Sequence, residues 1–219
     1  MSGRFDLSLY LVTDPAMTAR RGLAATVAAA VAGGVTMVQL RDKTSPTAAV
    51  IEAGRALRTL LAPLGVPLIV NDRIEVAQAI GADGIHVGPD DPAPAAARAV
   101  LGPGALIGFS IDAPGRLAEF DAAAVDYVGL GPLFPTGTKP DAAPALGEAG
   151  FRALRRRLPC PVVAIGGIDA ANAARAIAAG ADGVAVVSAI CAASDPGAAA
   201  RALRAAVDAA QASRGQSRP

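Results

Sequence analysis

Short runs of Val, Ile and Leu recur along the chain, and each is followed by a longer, Ala-rich segment with helical spacing. The runs are almost continuously apolar, which is typical of parallel strands buried on both faces. Strands are predicted at 7–13, 36–40, 67–70, 84–87, 105–109, 126–130, 162–165 and 183–187. Helices are predicted at about 18–32, 46–61, 74–80, 93–100, 114–123, 147–157, 170–179 and 195–210.

This alternation predicts an α/β protein: a closed parallel (β/α)8 TIM barrel in a single domain over residues 1–212, with a disordered tail at 213–219. Parallel strands need crossover connections, and the predicted helices supply them. An open, doubly wound sheet is the alternative. No Gly-x-Gly-x-x-Gly sequence opens a helix after the first strand, so the dinucleotide fingerprint of that fold is missing.

An internal echo supports the barrel. The sequence GADGIHVG at 81–88 resembles GADGVAVV at 180–187, and looser versions precede the second and sixth strands. Even-numbered strands that begin alike indicate a repeated unit with a common helix-to-strand turn. The echoed Asp residues precede their strands, so we interpret them as structural.

Composition adds few constraints on function. The chain has 219 residues, 53% of them hydrophobic, and a net charge of +1, which gives no reason to expect nucleic acid or a membrane as partner. Its two cysteines, Cys160 and Cys191, are too few for a disulfide framework. Neither a signal peptide nor an apolar run of membrane-spanning length is recognisable, so a cytoplasmic location is expected. Assembly into a homo-oligomer stays open.

Polar, charged and glycine residues follow the predicted strands at one end. They are Gln39 to Lys43 after the second strand, Asn71 and Asp72 after the third, Asp91 after the fourth, Ser110 after the fifth, Gly166 and Gly167 after the seventh, and Ser188 after the eighth. The C-terminal ends of barrel strands are where enzymes of this fold build their active sites. A functional cluster is therefore predicted there.

The long segment after the sixth strand, GLGPLFPTGTK at 129–139, is punctuated by Pro and Gly and is predicted to be an exposed loop. Thr136, Thr138, Lys139 and backbone N–H groups form a candidate anion-binding cluster. Long loops in compact domains are often functional. We predict a mobile lid over Pro132 to Pro144 that closes over the ligands and excludes water.

The residue types at the strand ends indicate bound phosphates. Arg41, Lys43 and Lys139 suit a polyanion, and the loops after strands seven and eight are the usual phosphate site of such barrels. Two carboxylates, Asp72 and Asp91, suit Mg²⁺, which typically combines one or two carboxylates with substrate phosphate oxygens. Two anion sites imply two phosphorylated substrates or one bisphosphate. The only histidine falls inside the fourth strand and is interpreted as a core or wall residue.

The ordered motifs resemble the thiamine-phosphate synthase (thiamine-phosphate pyrophosphorylase) family over nearly the whole chain. They are LYLVTD (9–14), VQLRDK (38–43), VND (70–72), GADGIHVG (81–88) with Asp91, GLGPLFPTGTK (129–139), AIGGI (164–168) and GVAVVSAI (183–190). The resemblance implies a Mg²⁺-assisted, dissociative reaction. In it 4-amino-2-methyl-5-hydroxymethylpyrimidine diphosphate and 4-methyl-5-(2-phosphoethyl)thiazole, or its carboxylated form, give thiamine phosphate and pyrophosphate.

The resemblance also implies roles for individual residues. The pyrimidine diphosphate would be held by Gln39, Leu40, Arg41, Asp42, Lys43, Asn71, Ser110 and Lys139, of which Arg41, Lys43, Ser110 and Lys139 would be catalytic. Mg²⁺ would be bound by Asp72 and Asp91. The thiazole phosphate would be held by Thr136, Gly137, Thr138, Gly167, Val187 and Ser188.

Two other functions stay open. A thiazole tautomerase-like paralogue would keep the barrel and the thiazole phosphate site. After the position of Ser110 the family often has a small residue and then a histidine, and in the tautomerases a histidine in that region is associated with catalysis. This chain departs from that pattern with Ile111 and Asp112, which argues against a tautomerase. A tautomerase also needs no cationic grip on pyrophosphate. A non-catalytic barrel that binds a phosphorylated ligand is the third hypothesis, and the paired carboxylates argue against it.

Overall fold

Eight parallel strands close into a barrel in sequence order in the computed structural model, which describes residues 5–138 and 143–216. Each strand pairs with its neighbours in the chain, and the last pairs with the first. The predicted (β/α)8 barrel is confirmed. The strands are β1 Leu9–Val12, β2 Met37–Leu40, β3 Leu68–Asn71, β4 Gly84–Val87, β5 Leu106–Ile111, β6 Tyr127–Leu130, β7 Val162–Ile165 and β8 Gly183–Val186.

The described α-helices cover the outside of the barrel. They are α1 Pro15–Thr18, α2 Leu23–Ala32, α3 Thr47–Leu61, α4 Ile74–Ile80, α5 Pro94–Leu101, α6 Gly147–Arg155, α7 Ala173–Ala178, α8 Ser188–Cys191 and α9 Pro196–Gln216. Short 3₁₀ turns occur at Ala62–Leu64 and Pro114–Glu119. Within the described ranges, no helix is long and apolar enough to cross a membrane.

Three helix predictions need correction. The segment predicted as one helix at 18–32 is divided by Gly22, whose φ of 90° no helix accommodates. The segment after β5 forms a 3₁₀ turn instead of an α-helix, and Pro114 with Gly115 makes it a poor helix former. The last helix runs beyond 210 to Gln216, because Arg214 near its end donates to the carbonyl oxygen of Ala181 at 2.6 Å. Residues 213–216 are thus helical where a tail was predicted, and 217–219 lie outside the described residues.

Side chains alternate between two cores along every strand. Those pointing outward join the helices in one large core, which includes Val38 and Leu40 of β2. Those pointing inward fill the barrel, as Met37 of the same strand does together with Tyr10 and Tyr127. Because the side-chain period of a strand is two, Gln39 points inward with Met37 while Leu40 points outward.

The echoed Asp residues fasten the end of the barrel away from the predicted site. Asp83, just before β4, accepts hydrogen bonds through Oδ2 from the backbone N–H of Leu68 and from Arg58 Nη1, both at 2.8 Å. The same arrangement recurs at Asp126 with Ile107 and Arg98, and at Asp182 with Val162 and Arg155. The structural interpretation of these residues is confirmed.

A threonine takes the equivalent place before β2. Thr36 Oγ1 accepts the backbone N–H of Leu9 at 3.1 Å, as the carboxylates do for β3, β5 and β7. Each odd-numbered strand therefore has the N–H of its first or second residue bound by the side chain that precedes the next even-numbered strand. The same kind of side-chain-to-backbone hydrogen bond thus occurs four times at this end of the barrel.

Candidate active site

A cavity of about 360 Å³ opens at the C-terminal end of the barrel. It is lined by residues that follow strands far apart in sequence, because the parallel strands all end on this face. Most of the site residues predicted from sequence meet there: Gln39, Arg41, Lys43, Asn71, Asp91, Ser110, Thr136, Thr138, Gly167, Val187 and Ser188. The predicted clustering is a property of this structure, whereas the role of each residue stays a prediction.

Other predicted site residues do not line the cavity. Leu40 points outward into the core between barrel and helices, and Asp42 uses Oδ1 to accept the backbone N–H groups of Thr44 and Ser45 at 3.0 and 2.9 Å. Leu40 has the outward register of β2, so its side chain faces away from a ligand in the cavity. Gly137 also lies outside the lining. Lys139 lies outside the described residues.

One end of the cavity combines cations with a carboxylate. Lys43 Nζ lies 3.0 Å from Asp72 Oδ2, and Asn71 Nδ2 donates to the same oxygen at 2.7 Å. Asp72 has a φ of 51°, the one positive value at a non-glycine residue in the described chain. This left-handed turn ends β3 and sets Asp72 behind Lys43 and Asn71, both of which line the cavity.

The two predicted metal ligands follow adjacent strands. Asp91 Oδ2 accepts the backbone N–H of Gly88 at 2.6 Å, just as Asp72 uses its Oδ2 for protein partners. Within the part of the chain that the structure describes, neither Oδ1 has a hydrogen-bond or ion-pair partner, and no group of three or more candidate ligands occurs. Two carboxylate oxygens fit Mg²⁺, which fills its remaining positions with water and substrate oxygens.

The loops after β7 and β8 form a backbone-lined region at the other end. Gly166 and Gly167 have φ values of 96° and 64°, and a Cβ on Gly167 would lie 2.4 Å from the carbonyl oxygen of Pro135. Glycine at 167 is thus required both by backbone conformation and by space. Val187 and Ser188 start α8 beside it, so the exposed N–H groups are suited to a phosphate.

The loop after β6 is fastened at its base and reaches this region at its tip. Leu133 N and Phe134 N donate to β7 and its following residue, at 2.8 Å to Ile165 O and 3.0 Å to Gly166 O. Thr138 Oγ1 donates to Ser188 Oγ at 3.4 Å. The first part of the loop is thus hydrogen-bonded to β7 and the residue after it, and residues 139–142 of the predicted lid lie outside the described residues. Closure of the remainder stays a prediction.

A buried chain of polar groups forms the cavity floor. Gln39 Nε2 donates to Tyr10 Oη at 2.8 Å, Tyr10 Oη lies 2.9 Å from Tyr127 Oη, and Tyr127 Oη lies 3.2 Å from His86 Nδ1. His86 Nε2 lies 2.8 Å from Ser110 Oγ. Burial lowers the pKa of His86 to about 4, against an opposing effect of the Asp91 charge, and burial raises the pKa of both tyrosines. The floor is uncharged at neutral pH.

The histidine is a fully bonded wall residue, as predicted, but the two tyrosines were missed. Their signal in the sequence is the glycine pattern of β5 and β6. A Cβ on Gly108 would lie 2.3 Å from His86 Nδ1 and 2.3 Å from Tyr127 Cζ, and one on Gly129 would lie 3.1 Å from His86 Cε1. Glycines at inward positions of barrel strands thus indicate a large side chain on a neighbouring strand.

Comparisons with known proteins agree on one family. A family model described as "Thiamine monophosphate synthase" matches residues 9–190. The chain is 58% identical over 181 residues to a thiamine-phosphate synthase of Xanthobacter autotrophicus, covering 83% of this chain and 86% of that one. It is 55% identical over 181 residues to that of Azorhizobium caulinodans, covering 83% and 85%.

A solved structure points to the same family. A thiamine phosphate pyrophosphorylase from Pyrococcus furiosus superposes with a TM-score of 0.85 at 35% identity, covering 94% of this chain and 98% of that one.

Proposed function

The chain belongs to the thiamine monophosphate synthase family and is an enzyme that forms thiamine phosphate; on that premise, we propose which groups of its cavity carry the reaction. A pyrimidine diphosphate binds at the end with Arg41 and Lys43, and a thiazole phosphate binds at the end with Gly167 and Ser188. The observation that supports this assignment is that one cavity is lined both by the cations Arg41 and Lys43 and, after β7 and β8, by Gly167 and Ser188, whose backbone suits a second phosphate.

The cations at the first end stabilise the leaving pyrophosphate. Arg41 and Lys43 line the cavity, and Lys43 is tied to Asp72 at 3.0 Å. Arg41 can engage two phosphate oxygens through its planar guanidinium, whereas Lys43 acts as a point charge. As negative charge develops on pyrophosphate, preorganised cations lower the barrier without having to reorganise.

Asp72 and Asp91 would hold Mg²⁺ at the same end. When bound, Mg²⁺ supplies charge neutralisation for the diphosphate oxygens. The residues position that charge: Asn71 and Lys43 orient the carboxylate of Asp72, and the N–H of Gly88 orients that of Asp91. Such supporting bonds fix the geometry of a ligand oxygen.

Backbone groups bind the second substrate. The N–H groups of Gly167 and Ser188, with the hydroxyls of Thr136 and Thr138, surround a region suited to the thiazole phosphate. A neutral cradle is sufficient there because this phosphate is not a leaving group. It only has to place the thiazole nitrogen opposite the pyrimidine methylene carbon.

The bond changes need no general base. The C–O bond to the diphosphate breaks with both electrons leaving on oxygen, and the lone pair of the thiazole nitrogen then forms the C–N bond to the methylene carbon. No proton moves in either step. The floor suits a cationic pyrimidine, because His86 is neutral and its two nitrogens are engaged by Tyr127 and Ser110. Those nitrogens cannot then compete with the thiazole as nucleophiles.

Incubation of the purified protein with both substrates and Mg²⁺ tests the proposal. We expect thiamine phosphate and one equivalent of pyrophosphate, both requiring each substrate. Product formation should stop on addition of a chelator and resume with excess Mg²⁺. Folded protein that yields neither product would contradict the assignment. Release of pyrophosphate at the same rate whether or not the thiazole phosphate is present would contradict it as well.

We also propose a cytoplasmic location. It is supported by two cysteines that are both free thiols, one of them buried. Fractionation of the cells that produce the chain tests this location.

A further inference from the structure

The hydrogen bonds in the floor of the cavity allow one consistent assignment of donors and acceptors. Gln39 Nε2 donates to Tyr10 Oη, so the single hydroxyl proton of Tyr10 is directed to its other partner, Tyr127 Oη. Tyr127 Oη is then an acceptor on that side, and its own proton goes to His86 Nδ1. Nδ1 therefore carries no proton, and His86 Nε2 donates to Ser110 Oγ. Counting one proton per hydroxyl fixes every step.

The two ends of this chain are left facing the cavity. Ser110 accepts from His86, so its hydroxyl proton is available to an acceptor on a ligand. Gln39 Oε1 has no partner within the described residues. The described chain also contains no fully buried side-chain oxygen without a partner. Since Gln39 is only 4% exposed overall, that exposed surface includes Oε1 and opens to the cavity.

We propose that Tyr10, Tyr127 and His86 are positioning residues that couple Gln39 to Ser110, so that the site presents an acceptor at Gln39 Oε1 and a donor at Ser110 Oγ. This pair is complementary to a heteroaromatic ring that carries an amino group next to a ring nitrogen. The amino group donates to Gln39 Oε1, and the ring nitrogen accepts from Ser110. The ligand half of this inference rests on the function proposed above, whereas the order of protons does not.

The coupling has a consequence at a distance. If the donor at position 39 is replaced by an acceptor, Tyr10 must donate toward it, and every later bond reverses. His86 would then carry its proton on Nδ1 and accept from Ser110 at Nε2. Ser110 would have no proton left for the ligand. The site would then lose its preference for a ring with an amino group next to a ring nitrogen, even though Ser110 and His86 were unchanged.

The experiment is ¹⁵N NMR of histidine-labelled protein without ligands. Because the chain has one histidine, the spectrum contains one imidazole, and long-range ¹H–¹⁵N correlations assign its tautomer. We expect the proton on Nε2 in the native protein and on Nδ1 in Gln39→Glu. A native protein with the proton on Nδ1 would overturn the proposal, as would a tautomer that stays unchanged in Gln39→Glu at a pH high enough to ionise the introduced carboxyl group.

Two further variants separate coupling from a local effect. In the double variant Tyr10→Phe with Gln39→Glu the chain is cut, so the histidine tautomer should no longer follow position 39; a shift that persists would contradict the relay. Tyr127→Phe should raise KM for the pyrimidine diphosphate by about three- to tenfold with little change in kcat, as expected for one lost hydrogen bond to a binding group. If Gln39→Glu does not fold, the native tautomer and Tyr127→Phe still decide.

These measurements also separate this proposal from the proposed function. The tautomer is measured without substrate, so it can support the relay even if no thiamine phosphate forms. Conversely, an active enzyme with the opposite tautomer would retain the function and exclude this order of protons.

Discussion

At the scale of single residues, Asp72 is held by three constraints behind the residues that line the cavity. Its left-handed backbone, its ion pair with Lys43 and its bond from Asn71 all serve to hold one carboxylate oxygen. The other oxygen is available for a cation. The left-handed backbone of Asp72 is the strained conformation in which its carboxylate meets Lys43 and Asn71.

Asp72→Asn should lower kcat/KM by about tenfold to a hundredfold while leaving the melting temperature nearly unchanged. The amide keeps the shape but removes the charge that holds a cation and pairs with Lys43. The measurement is initial rate against Mg²⁺ concentration, and the half-saturating concentration should rise. Asp208→Asn, which removes an exposed carboxylate paired with Arg204 on α9, is the matched control. Equal effects of the two variants would exclude a specific role for Asp72.

At the scale of elements, the close packing of the β6 loop against the β7 loop depends on Gly167. Phe134 and Pro135 occupy the space that a side chain at 167 would need. Arg175 of α7 stacks 4.9 Å from the centre of the Phe134 ring and donates to Glu148 of α6 at 2.7 Å. The backbone at Gly167, which we propose to bind a phosphate, is thus shaped by a loop that packs against Arg175 of α7.

Gly167→Ala should destabilise the protein by about 2–4 kcal/mol and raise KM for the thiazole phosphate. Gly65→Ala is a matched control, because Gly65 has a φ of 65° against 64° at Gly167 but has nothing within 4 Å of an added Cβ. It should cost only the conformational part, about 1 kcal/mol. Chemical denaturation of both variants measures the difference. If the two costs were the same, the steric conflict with the β6 loop would play no part.

Sequence patterns sufficed for the barrel and for most residues around the cavity. Buried parallel strands leave a simple signature, and inward positions at their ends can be counted from it. Leu40 was included by motif alone, although the period of two along β2 already turned it outward. Asp42 was also included by motif, and its role in binding the backbone of Thr44 and Ser45 depends on the loop after β2. Tyr10 and Tyr127 were missed because an aromatic residue in an apolar strand does not indicate which polar atom its hydroxyl will meet. The 3₁₀ turn after β5 was predicted as a helix although Pro114 and Gly115 make that segment a poor helix former.

At the scale of the whole molecule, both tyrosines of the chain lie in the barrel interior. Burial raises their pKa well above the ordinary value of about 10. In the unfolded chain they ionise near that ordinary value, so the unfolded state loses protons first as the pH rises. The contribution of the two tyrosines to the free energy of unfolding is therefore fully present below about pH 10 and decreases above it.

An alkaline titration followed by tyrosinate absorbance tests this. The native protein should show almost no ionisation where the denatured protein is half ionised, and the signal should then appear abruptly on unfolding. Since no other tyrosine contributes, the absorbance reports the barrel interior alone. A native titration near the ordinary value would mean that water reaches the floor of the cavity.

The repeated hydrogen bonds made by the residues before β2, β4, β6 and β8 have a consequence for how such a protein can evolve. Closure of the barrel is secured at one face by Thr36, Asp83, Asp126 and Asp182, none of which lines the cavity. Substitutions among the loops of the opposite face leave these bonds untouched. The loops at the C-terminal end of the barrel can therefore change to bind new substrates, while the hydrogen bonds of these four residues continue to stabilise the opposite end.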